Sequence, residues 1–441
     1  MQCVPPEETP RRMTDLAAPP PALKRYKPFA LFWVMRVATT GAYFMQSVAI
    51  GWQIYDMTGN ALDLGLVGLM QFLPVVAMSV VVGQTVDRYD RRMIARTCEC
   101  VHALAATALA IGSATGWLTR EGIFALVLLT STARAFEMPS IIALLPGLVA
   151  PPLLPRAIAA SNTASQTAVI CGPALGGVIY GFGPATVYAL CAATFLLAGI
   201  LVSMLKTAPT PTARAPVTLT TMFAGFSYVR RTRLLLGAIS LDLFVVLLGG
   251  ITALLPIFAR DILDTGPWGL GLLRSAPAVG ALGMSAFLVR HSLDRGAGRK
   301  LFASTAMFGI AIVAFSLSAS LALSIAALVV YGAMDAVSVV VRQSLVQTRT
   351  PSDMLGRVIA VHALFTGTTG SLGQFRAGVF AAFIGAVPSA LIGGIGAILV
   401  TVLWMWWFPE LRRIASLAHD VVPPAQPGGA AHTRELASEV E

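Results

Sequence analysis

The sequence predicts an all-α membrane protein with twelve transmembrane helices in two pseudo-symmetric six-helix bundles, and three observations support this fold class. Of the 441 residues, 56% are hydrophobic and only 12% are charged, whereas soluble domains carry roughly 25% charged residues. About twelve stretches reach the roughly 20 apolar residues that cross the hydrocarbon core of a bilayer. Short motifs from the first half of the chain return in the second half, as in many secondary transporters.

The apolar stretches define the elements in chain order. The N-terminal bundle, 28–206, is predicted to contain spans at 28–55, 62–84, 93–116, 121–149, 155–181 and 184–206. The C-terminal bundle, 233–410, is predicted to contain spans at 233–260, 267–290, 299–318, 321–348, 353–382 and 385–408. Polar segments at 1–27 and 411–441 predict disordered cytoplasmic tails. The connector 207–232 predicts a cytoplasmic linker, whose amphipathic stretch Leu219–Val229 is expected along the membrane surface.

The distribution of basic residues predicts the orientation. With both termini in the cytoplasm, sixteen arginines and lysines fall in or beside cytoplasmic loops, and only Arg120 and Arg260 fall in outer loops. Cytoplasmic loops of membrane proteins carry this excess of positive charge. The net charge of +10 is therefore attributed to topology, and no nucleic-acid partner is predicted.

A charged turn after span 2 is the clearest repeat. Its two copies consist of Gly83, Asp87, Arg88, Arg91 and Arg92 after span 2 and of Asp294 and Arg295 after span 8. The offset from Asp87 to Asp294 is 294 − 87 = 207 residues. The acid can accept hydrogen bonds from helix N-termini and the bases can pair with adjoining helix ends. The turn is predicted to latch the cytoplasmic side in one conformation; the alternative is that these are plain topology charges.

Small residues repeat as well. Leu64-Gly65-Leu66 in span 2 matches Leu270-Gly271-Leu272 in span 8, and Gly172 and Gly177 in span 5 match Gly373 and Gly378 in span 11. Span 5 also contains a compact motif, made of Gly172, Pro173, Gly176 and Gly177. Small residues let helices approach closely and proline bends them. The motif predicts either a contact between spans 5 and 8 that moves during alternation or tight packing alone.

Charged residues inside the spans are the candidates for substrate and proton handling. They are Arg36 in span 1, Arg134 and Glu137 in span 4, Asp242 in span 7 and Asp335 in span 10. Each costs about 2.5–3.5 kcal/mol at the centre of a membrane helix. These spans are expected to line a central cavity that water reaches, where one of the acids would carry a proton. The alternative is structural pairing, of Arg134 with Glu137 or of Asp242 or Asp335 with Arg36.

Other polar residues are expected to be structural. Arg274 and Arg342 are predicted near span ends, where their side chains can reach the membrane surface. Cys98 and His102 share a helix face, but metal sites usually need about four ligands, so no metal is predicted. The chain contains no phosphate-binding Gly-x4-Gly-Lys-Ser/Thr motif and no His-Glu-x-x-His or Gly-x-Ser-x-Gly motif. We therefore predict no cofactor, no enzyme activity and a proton gradient as the energy source.

Several motifs resemble those of known transporters. The turn Gly83–Arg92 resembles the loop 2–3 motif of the major facilitator superfamily, and Gly172–Gly177 looks like its span 5 antiporter motif. Residues 51–59 and 345–357 are similar to the transmembrane secretion effector branch, which includes enterobactin-exporter-like and macrolide-efflux-like proteins. The resemblance implies export by proton antiport. Gln374 and Arg376 stand where close relatives often carry acids, which suggests anionic substrates such as catecholate siderophores.

The function predicted from these features is secondary active export of a small amphipathic organic molecule, siderophore or drug-like, across a bacterial-type inner (plasma) membrane. The two bundles would alternate access to a central cavity. The expected partners are the small-molecule substrate and the lipid bilayer, and the protein is expected to be a monomer. A non-transporting receptor or scaffold of the same fold and an importer remain the alternatives.

Overall fold

The computed structural model describes residues 26–205, 219–291 and 296–414. In these ranges the regular structure is entirely helical, with twelve long segments, α1 to α12, and a separate linker helix. The segments are α1 Lys27–Thr58, α2 Ala61–Ala77 continued by Ser79–Arg88, α3 Arg91–Thr115, α4 Arg120–Leu144, α5 Leu154–Tyr180, α6 Pro184–Met204, the linker helix Leu219–Arg231, α7 Arg233–Gly249, α8 Gly266–Arg290, α9 Ala297–Ser316, α10 Leu321–Arg349, α11 Ser352–Ile384 and α12 Ala386–Trp407.

These segments confirm the predicted helical fold class and follow the predicted spans in order. Eight of the described helices are long and apolar enough to cross a membrane by themselves, or nine when the two parts of α2 count as one span. The helix α1 fails that test although it has 32 residues, because it carries polar side chains such as Gln46 and Gln53. Both glutamines are buried among neighbouring helices, where protein replaces lipid as their surroundings.

Two predicted spans are interrupted. In α2 the break lies at Met78, one turn after Pro74, and the two parts of the helix are bent by 59° there. The helix α7 ends at Gly249, and the chain continues in short helical segments from Thr252 to Ile262, so that Arg233–Ile262 is long and apolar enough to count as one span. There a Cβ on Gly250 would lie 2.8 Å from the carbonyl carbon of Gly373 in α11. Close packing against α11 therefore accompanies the break in α7.

Two glycine pairs join the halves α1–α6 and α7–α12. In one pair, a Cβ on Gly177 of α5 would lie 2.9 Å from the Cα of Gly271 in α8. In the other, a Cβ on Gly65 of α2 would lie 3.1 Å from the Cα of Gly378 in α11. Gly177 corresponds to Gly378 and Gly271 to Gly65 in the sequence repeat, so the contacts α5–α8 and α2–α11 are equivalent under the pseudo-symmetry of the halves.

Among the described residues, the glycine contacts between the halves lie toward one end of the molecule. We call this the closed end; it contains the ends of α1 and α7 near Asp56 and Asp261, and the opposite end, near Arg88 and Arg349, is the open end. Gly367 precedes Gly378 by 378 − 367 = 11 residues, about three helical turns, and so shares its face of α11. A Cβ on Gly367 would meet nothing within 4 Å. The groove between α2 and α11 is therefore tight at Gly378 and open at Gly367, about three helical turns further toward the open end.

The linker helix belongs to the second half. A Cβ on Gly225 would lie 2.8 Å from the carbonyl oxygen of Arg357, near the start of α11. The predicted amphipathic stretch thus forms a helix that packs on α11. The predicted tails lie outside the described residues apart from residues 26–27 and 411–414, and so do linker residues 207–218.

Candidate transport pathway

A buried charge cluster lies inside the first half, between α3 and α4. Arg134 Nη1 lies 2.8 Å from Glu137 Oε1, and His102 Nε2 lies 3.0 Å from Glu137 Oε2. The predicted contact of Arg134 with Glu137 is therefore present, and His102 of α3 completes the surroundings of the carboxylate. The Arg134 guanidinium also lies over the ring of Tyr43 in α1, 4.4 Å from its centroid. The hydrogen bond from Arg134 compensates the carboxylate for its burial, whereas His102 Nε2 is close to Glu137 Oε2 without forming a hydrogen bond to it.

A second acid, Glu99 of α3, lies in the same half. Thr39 of α1 donates a hydrogen bond of 2.5 Å to Glu99 Oε1, and the other carboxyl oxygen is buried without a hydrogen-bond partner in the described part of the chain. Arg36 of α1 donates to the sulfur of Met138 at 3.6 Å. Glu99 and Glu137 are fully buried, so water does not reach Glu137 in this conformation, contrary to the expectation from its position in span 4.

In the second half Asp242 of α7 pairs with Arg342 of α10. Both residues are buried. The pairing of Asp242 with Arg36 considered from the sequence is therefore wrong, because Arg36 lies in the other half beside Met138. The expectation that Arg342 extends to the membrane surface is also wrong, since a buried carboxylate on α7 binds its guanidinium.

Asp335 of α10 differs from the other acids. It is partly buried and makes no hydrogen bond or ion pair within residues 26–205, 219–291 and 296–414. The considered pairing with Arg36 is absent from this conformation. Asp335 is thus the one acid predicted inside the spans that the described structure leaves without a cation.

The charged turn after α2 reaches neighbouring helix ends as expected. Arg91 donates to the carbonyl of Ala143 at 3.2 Å and Arg92 donates to that of Leu205 at 2.5 Å. These carbonyls end α4 and α6, where unpaired acceptors favour cations. Asp90 caps α3 by accepting from the N–H of Arg92, and Asp87 and Arg88 are exposed. A Cβ on Gly83 would meet nothing within 4 Å. Asp294 and Arg295 lie outside the described residues.

The small-residue motif of α5 has two contact surfaces. Cβ atoms on Gly172 and Gly176 would each lie 2.8 Å from a backbone carbonyl oxygen of α1, at Gly41 and Met45 respectively. Gly177 instead faces α8, and the carbonyl oxygen of Pro173 would lie 2.6 Å from a Cβ on Gly271. The motif therefore combines packing within the first half with the contact between α5 and α8.

A small cavity of about 20 Å³ lies between the halves, on the inner side of the closed end. It is lined by Ser47, Ile50 and Gly51 of α1, Leu64, Val67 and Gln71 of α2, Ala253 after α7, Arg274 of α8 and Gln374 of α11. Arg274 Nη1 donates to the hydroxyl of Ser47 at 2.8 Å, so Arg274 lies in the cavity wall and not at the membrane surface as predicted.

Arg376 does not face this cavity. Its Nε donates to the carbonyl of Leu247 at 3.1 Å and its Nη2 donates to that of Leu248 at 2.6 Å. These are among the last carbonyls of α7, which have no partner within the helix. The suggestion that Arg376 attracts anionic substrates is therefore replaced by a structural role at the break in α7, whereas Gln374 does line the cavity.

A polar network that the sequence did not predict joins α1 and the end of the α7 segment at the closed end. Arg260 Nη1 lies 3.1 Å from Asp56 Oδ1, and the hydroxyl of Tyr55 donates to the carboxylate of Asp261. The opposite charges at the outer ends of spans 1 and 7 were the sequence feature that could have predicted this network. This network closes the cavity from the side opposite the open end.

Comparisons with known proteins agree with this architecture. The enterobactin exporter EntS of Citrobacter koseri is 26% identical over 412 residues, which cover 92% of this chain and 97% of the relative. EntS of Escherichia coli O1:K1 / APEC is 25% identical over 395 residues, 89% and 94% of the two chains. The solved nucleoside transporter NupG has a TM-score of 0.64 at 15% identity, covering 87% of this chain and 99% of NupG.

A solved bacterial homolog of the human lysosomal transporter Spinster, described as inward-facing and unoccupied, has a TM-score of 0.64 at 12% identity over 88% of this chain and 98% of the homolog. The family model of the transmembrane secretion effectors matches residues 20–427, which confirms the resemblance noted in the sequence. With these matches and its apolar helices, the chain is a multi-pass inner-membrane transporter rather than an enzyme, and it belongs to the transmembrane secretion effector family of the major facilitator superfamily.

Proposed function

We propose that the protein exports a small amphipathic organic molecule, siderophore or drug-like, from the cytoplasm by proton antiport with alternating access. The observation that carries this proposal is the contact between the halves at the closed end, through the equivalent glycine pairs Gly177–Gly271 and Gly65–Gly378, while Gly367 nearer the open end has free space in the described structure. Two bundles that touch at one end and separate at the other can rock about a central site. The names of the relatives as exporters support the direction.

The orientation is part of the proposal. Arg88, Arg91 and Arg92 of the turn after α2 lie at the open end, together with Arg290 and Arg349 at the ends of α8 and α10. Positive loops face the cytoplasm, so the open end would be cytoplasmic and both termini would lie inside. The described conformation is then the inward-open one, ready to take a substrate from the cytoplasm.

The charged turn would act in the opposite conformation. Asp87 and Arg88 are exposed at the open end, and Arg91 and Arg92 hold the turn on the first half. When the open end closes, the Asp87 carboxylate and the Arg88 guanidinium would be available to bind residues of the second half. We propose that this contact latches the outward-open state, with Gly83 allowing close approach.

Asp335 is the proposed proton carrier. Glu137 and Asp242 each bind a buried arginine, so a proton arriving at either one would break an ion pair. Asp335 has no such partner among the described residues and can exchange a proton without that cost. A proton that moves inward through 100 mV supplies about 2.3 kcal/mol, which is enough to bias the alternation toward export.

The test is substrate-dependent proton flux in proteoliposomes. The protein is reconstituted with a pH-sensitive dye inside, a proton gradient is imposed, and enterobactin and erythromycin are added as catecholate and macrolide probes. We expect proton flux that depends on a probe, and Asp335→Asn should abolish it while unlabelled probe still exchanges for labelled probe. The matched control is Glu121→Gln, because Glu121 is exposed at the start of α4.

The outcomes separate the alternatives. Exchange of a probe without proton movement in the wild type would contradict antiport. Absence of both proton flux and exchange for every probe would contradict export of these classes and favour the receptor or scaffold function. Retention of full proton flux in Asp335→Asn would exclude Asp335 as the proton carrier.

A further inference from the structure

We infer that Arg274 binds an anionic group of the substrate in the cavity between the halves, beside Ser47, Gln71 and Gln374. The inference deepens the proposed function by naming a substrate class and the residue that recognises it. It rests on the proposed function in one respect: that the bound molecule is also the transported substrate.

Arg274 carries a positive charge that the described structure leaves uncompensated. Its guanidinium donates to the neutral hydroxyl of Ser47, its Nε is buried without a hydrogen-bond partner, and it forms no ion pair within the described residues. Other interior arginines have partners or lie elsewhere: Arg134 and Arg342 bind carboxylates, and Arg376 binds the last carbonyls of α7. Arg36 also has no ion pair among the described residues, but it does not line the cavity. Burial of an unpaired charge is costly, so the missing partner is expected to be an anion that enters from outside the chain.

The residues around Arg274 fit an anionic group on a small organic molecule. The polar lining consists of the hydroxyl of Ser47 and the amides of Gln71 and Gln374, and the remaining lining residues are apolar, such as Ile50 and Val67. Among the described residues, no acid lines the cavity. The enclosed space amounts to about 20 Å³, and a single water needs about 10–15 Å³. In this conformation the cavity would thus admit one small group, the anionic group on the guanidinium, and not the whole substrate.

The space in front of the guanidinium depends on Gly51. A Cβ at this position would lie 3.1 Å from Arg274 Nη2 and 3.6 Å from Pro256 Cγ. A larger side chain would therefore occupy the approach to Arg274 without changing any charge. This gives a steric probe of the site that is independent of the arginine.

The position of the site connects binding with alternation. Ser47 and Gln71 belong to the first half, and Arg274 and Gln374 belong to the second half. An anion bound by Arg274 would replace or share its hydrogen bond to Ser47, which is a contact between the halves. Occupation of the site therefore changes an interaction that holds the closed end together.

The experiment measures equilibrium binding of two probes that differ in charge but hardly in size, 2,3-dihydroxybenzoate and its neutral amide. The full-length protein is kept in an uncharged detergent without added lipid, so that anionic headgroups do not compete. Binding needs neither a proton gradient nor transport, so a failure of antiport in proteoliposomes and a failure of the anion site are recorded separately. The variants are Arg274→Gln, Arg274→Lys and Gly51→Val. The control variant is Arg376→Gln, because Arg376 caps α7 and does not line the cavity.

The wild type is expected to bind the acid more tightly than the amide. Arg274→Gln should weaken binding of the acid about 10- to 100-fold, the range expected for a charge-assisted hydrogen bond, and should leave the amide unchanged. Arg274→Lys should keep part of the preference, Gly51→Val should weaken both probes, and Arg376→Gln should keep the wild-type preference. A wild type that binds the acid no more tightly than the amide would overturn the inference, and so would an Arg274→Gln protein that keeps the preference or loses both probes equally.

Discussion

Six charged residues of the interior can be compared by whether they have an opposite charge as partner. Arg134, Glu137, Asp242 and Arg342 have opposite charges as partners within the protein, whereas Asp335 and Arg274 have none in the described structure. A buried pair contributes little to stability by its presence, but removal of one member leaves an unpaired charge. Substitutions in the first group should therefore affect folding, and substitutions in the second group should affect transport.

The pair of Asp242 and Arg342 provides the first prediction. Asp242→Asn leaves the Arg342 guanidinium buried without an anion, and we expect a loss of about 3–5 kcal/mol in the free energy of unfolding. The double variant Asp242→Leu/Arg342→Met removes both charges and should recover most of this loss. Thermal unfolding of the purified protein, followed by tryptophan fluorescence, measures the three midpoints. A double variant that is less stable than Asp242→Asn would contradict the role of the pair as mutually compensating charges.

The second prediction concerns Glu137, which has two partners. Glu137→Gln removes the anion between Arg134 and His102 and should cost about 3–5 kcal/mol. His102→Gln leaves the contact of Arg134 with Glu137 and should cost only about 1–3 kcal/mol, the penalty for leaving a buried polar atom without a partner. The same thermal unfolding measurement ranks the two variants. Equal destabilisation would show that His102 and not Arg134 is the main partner of the carboxylate.

At the scale of the helices, the glycine pairs make the sequence repeat visible in three dimensions. The glycines of α5 and α8 and their counterparts in α11 and α2 occupy the two places where the halves touch. At these crowded glycines the methyl group of an alanine would have no space. At a glycine with free space around it, alanine instead raises the helix propensity. The effect of a glycine-to-alanine substitution should therefore depend on position along a single helix.

The third prediction compares two positions in α8. Gly271→Ala would place a Cβ 2.6 Å from the carbonyl oxygen of Pro173, so the halves must separate at the closed end and transport should fall. Gly283→Ala meets nothing within 4 Å and should leave transport intact with a gain of about 0.5–1 kcal/mol in helix stability. Counterflow of a transported probe and thermal unfolding measure both variants. A transport rate that is lowered equally by the two substitutions would contradict a specific contact at Gly271.

Comparison of the helices with the sequence shows which features are local. Span positions followed from hydropathy and charge, because each depends on the residues of one segment and its solvent. The break in α7 was missed because Gly249 and Gly250 are also compatible with a straight helix in a membrane. Their conformation is decided by Gly373 and Arg376 of α11, which are distant in the sequence.

The same distinction holds for the candidate site. The residue types identified Arg36, Arg134, Glu137, Asp242 and Asp335, because charges in apolar spans are rare. Their partners were not predictable in the same way, since one residue of rotation error turns a helical side chain by about 100°. Arg274 and Arg342 were therefore placed at the membrane surface, although one lines the cavity and the other binds Asp242.

For the whole molecule, the closed end must open if a substrate is to leave on that side. Backbone contacts at the glycine pairs hold it together, and the pair of Arg260 and Asp56 adds an interaction between the halves. The side chains of Arg260 and Asp56 are 40% and 55% exposed, and exposed ion pairs contribute only about 0–1 kcal/mol. The polar network is thus a weak closure that a conformational change can break at little cost.

The fourth prediction follows from this weak closure. Arg260→Gln should increase the population of molecules that are open at the closed end by up to about fivefold, which corresponds to about 1 kcal/mol. The measurement is the rate at which a membrane-impermeant maleimide, added on the closed-end side of oriented proteoliposomes, labels Gln71→Cys in a background whose five native cysteines are replaced by alanine. High salt should accelerate labelling of the protein with Arg260 and have less effect on Arg260→Gln, because salt screens exposed charges.

Arg120→Gln is the matched control, since Arg120 is also 40% exposed but pairs with Asp63 inside the first half. Labelling that is accelerated as much by Arg120→Gln as by Arg260→Gln would mean that general loosening of the first half, and not the contact between the halves, controls access to the cavity.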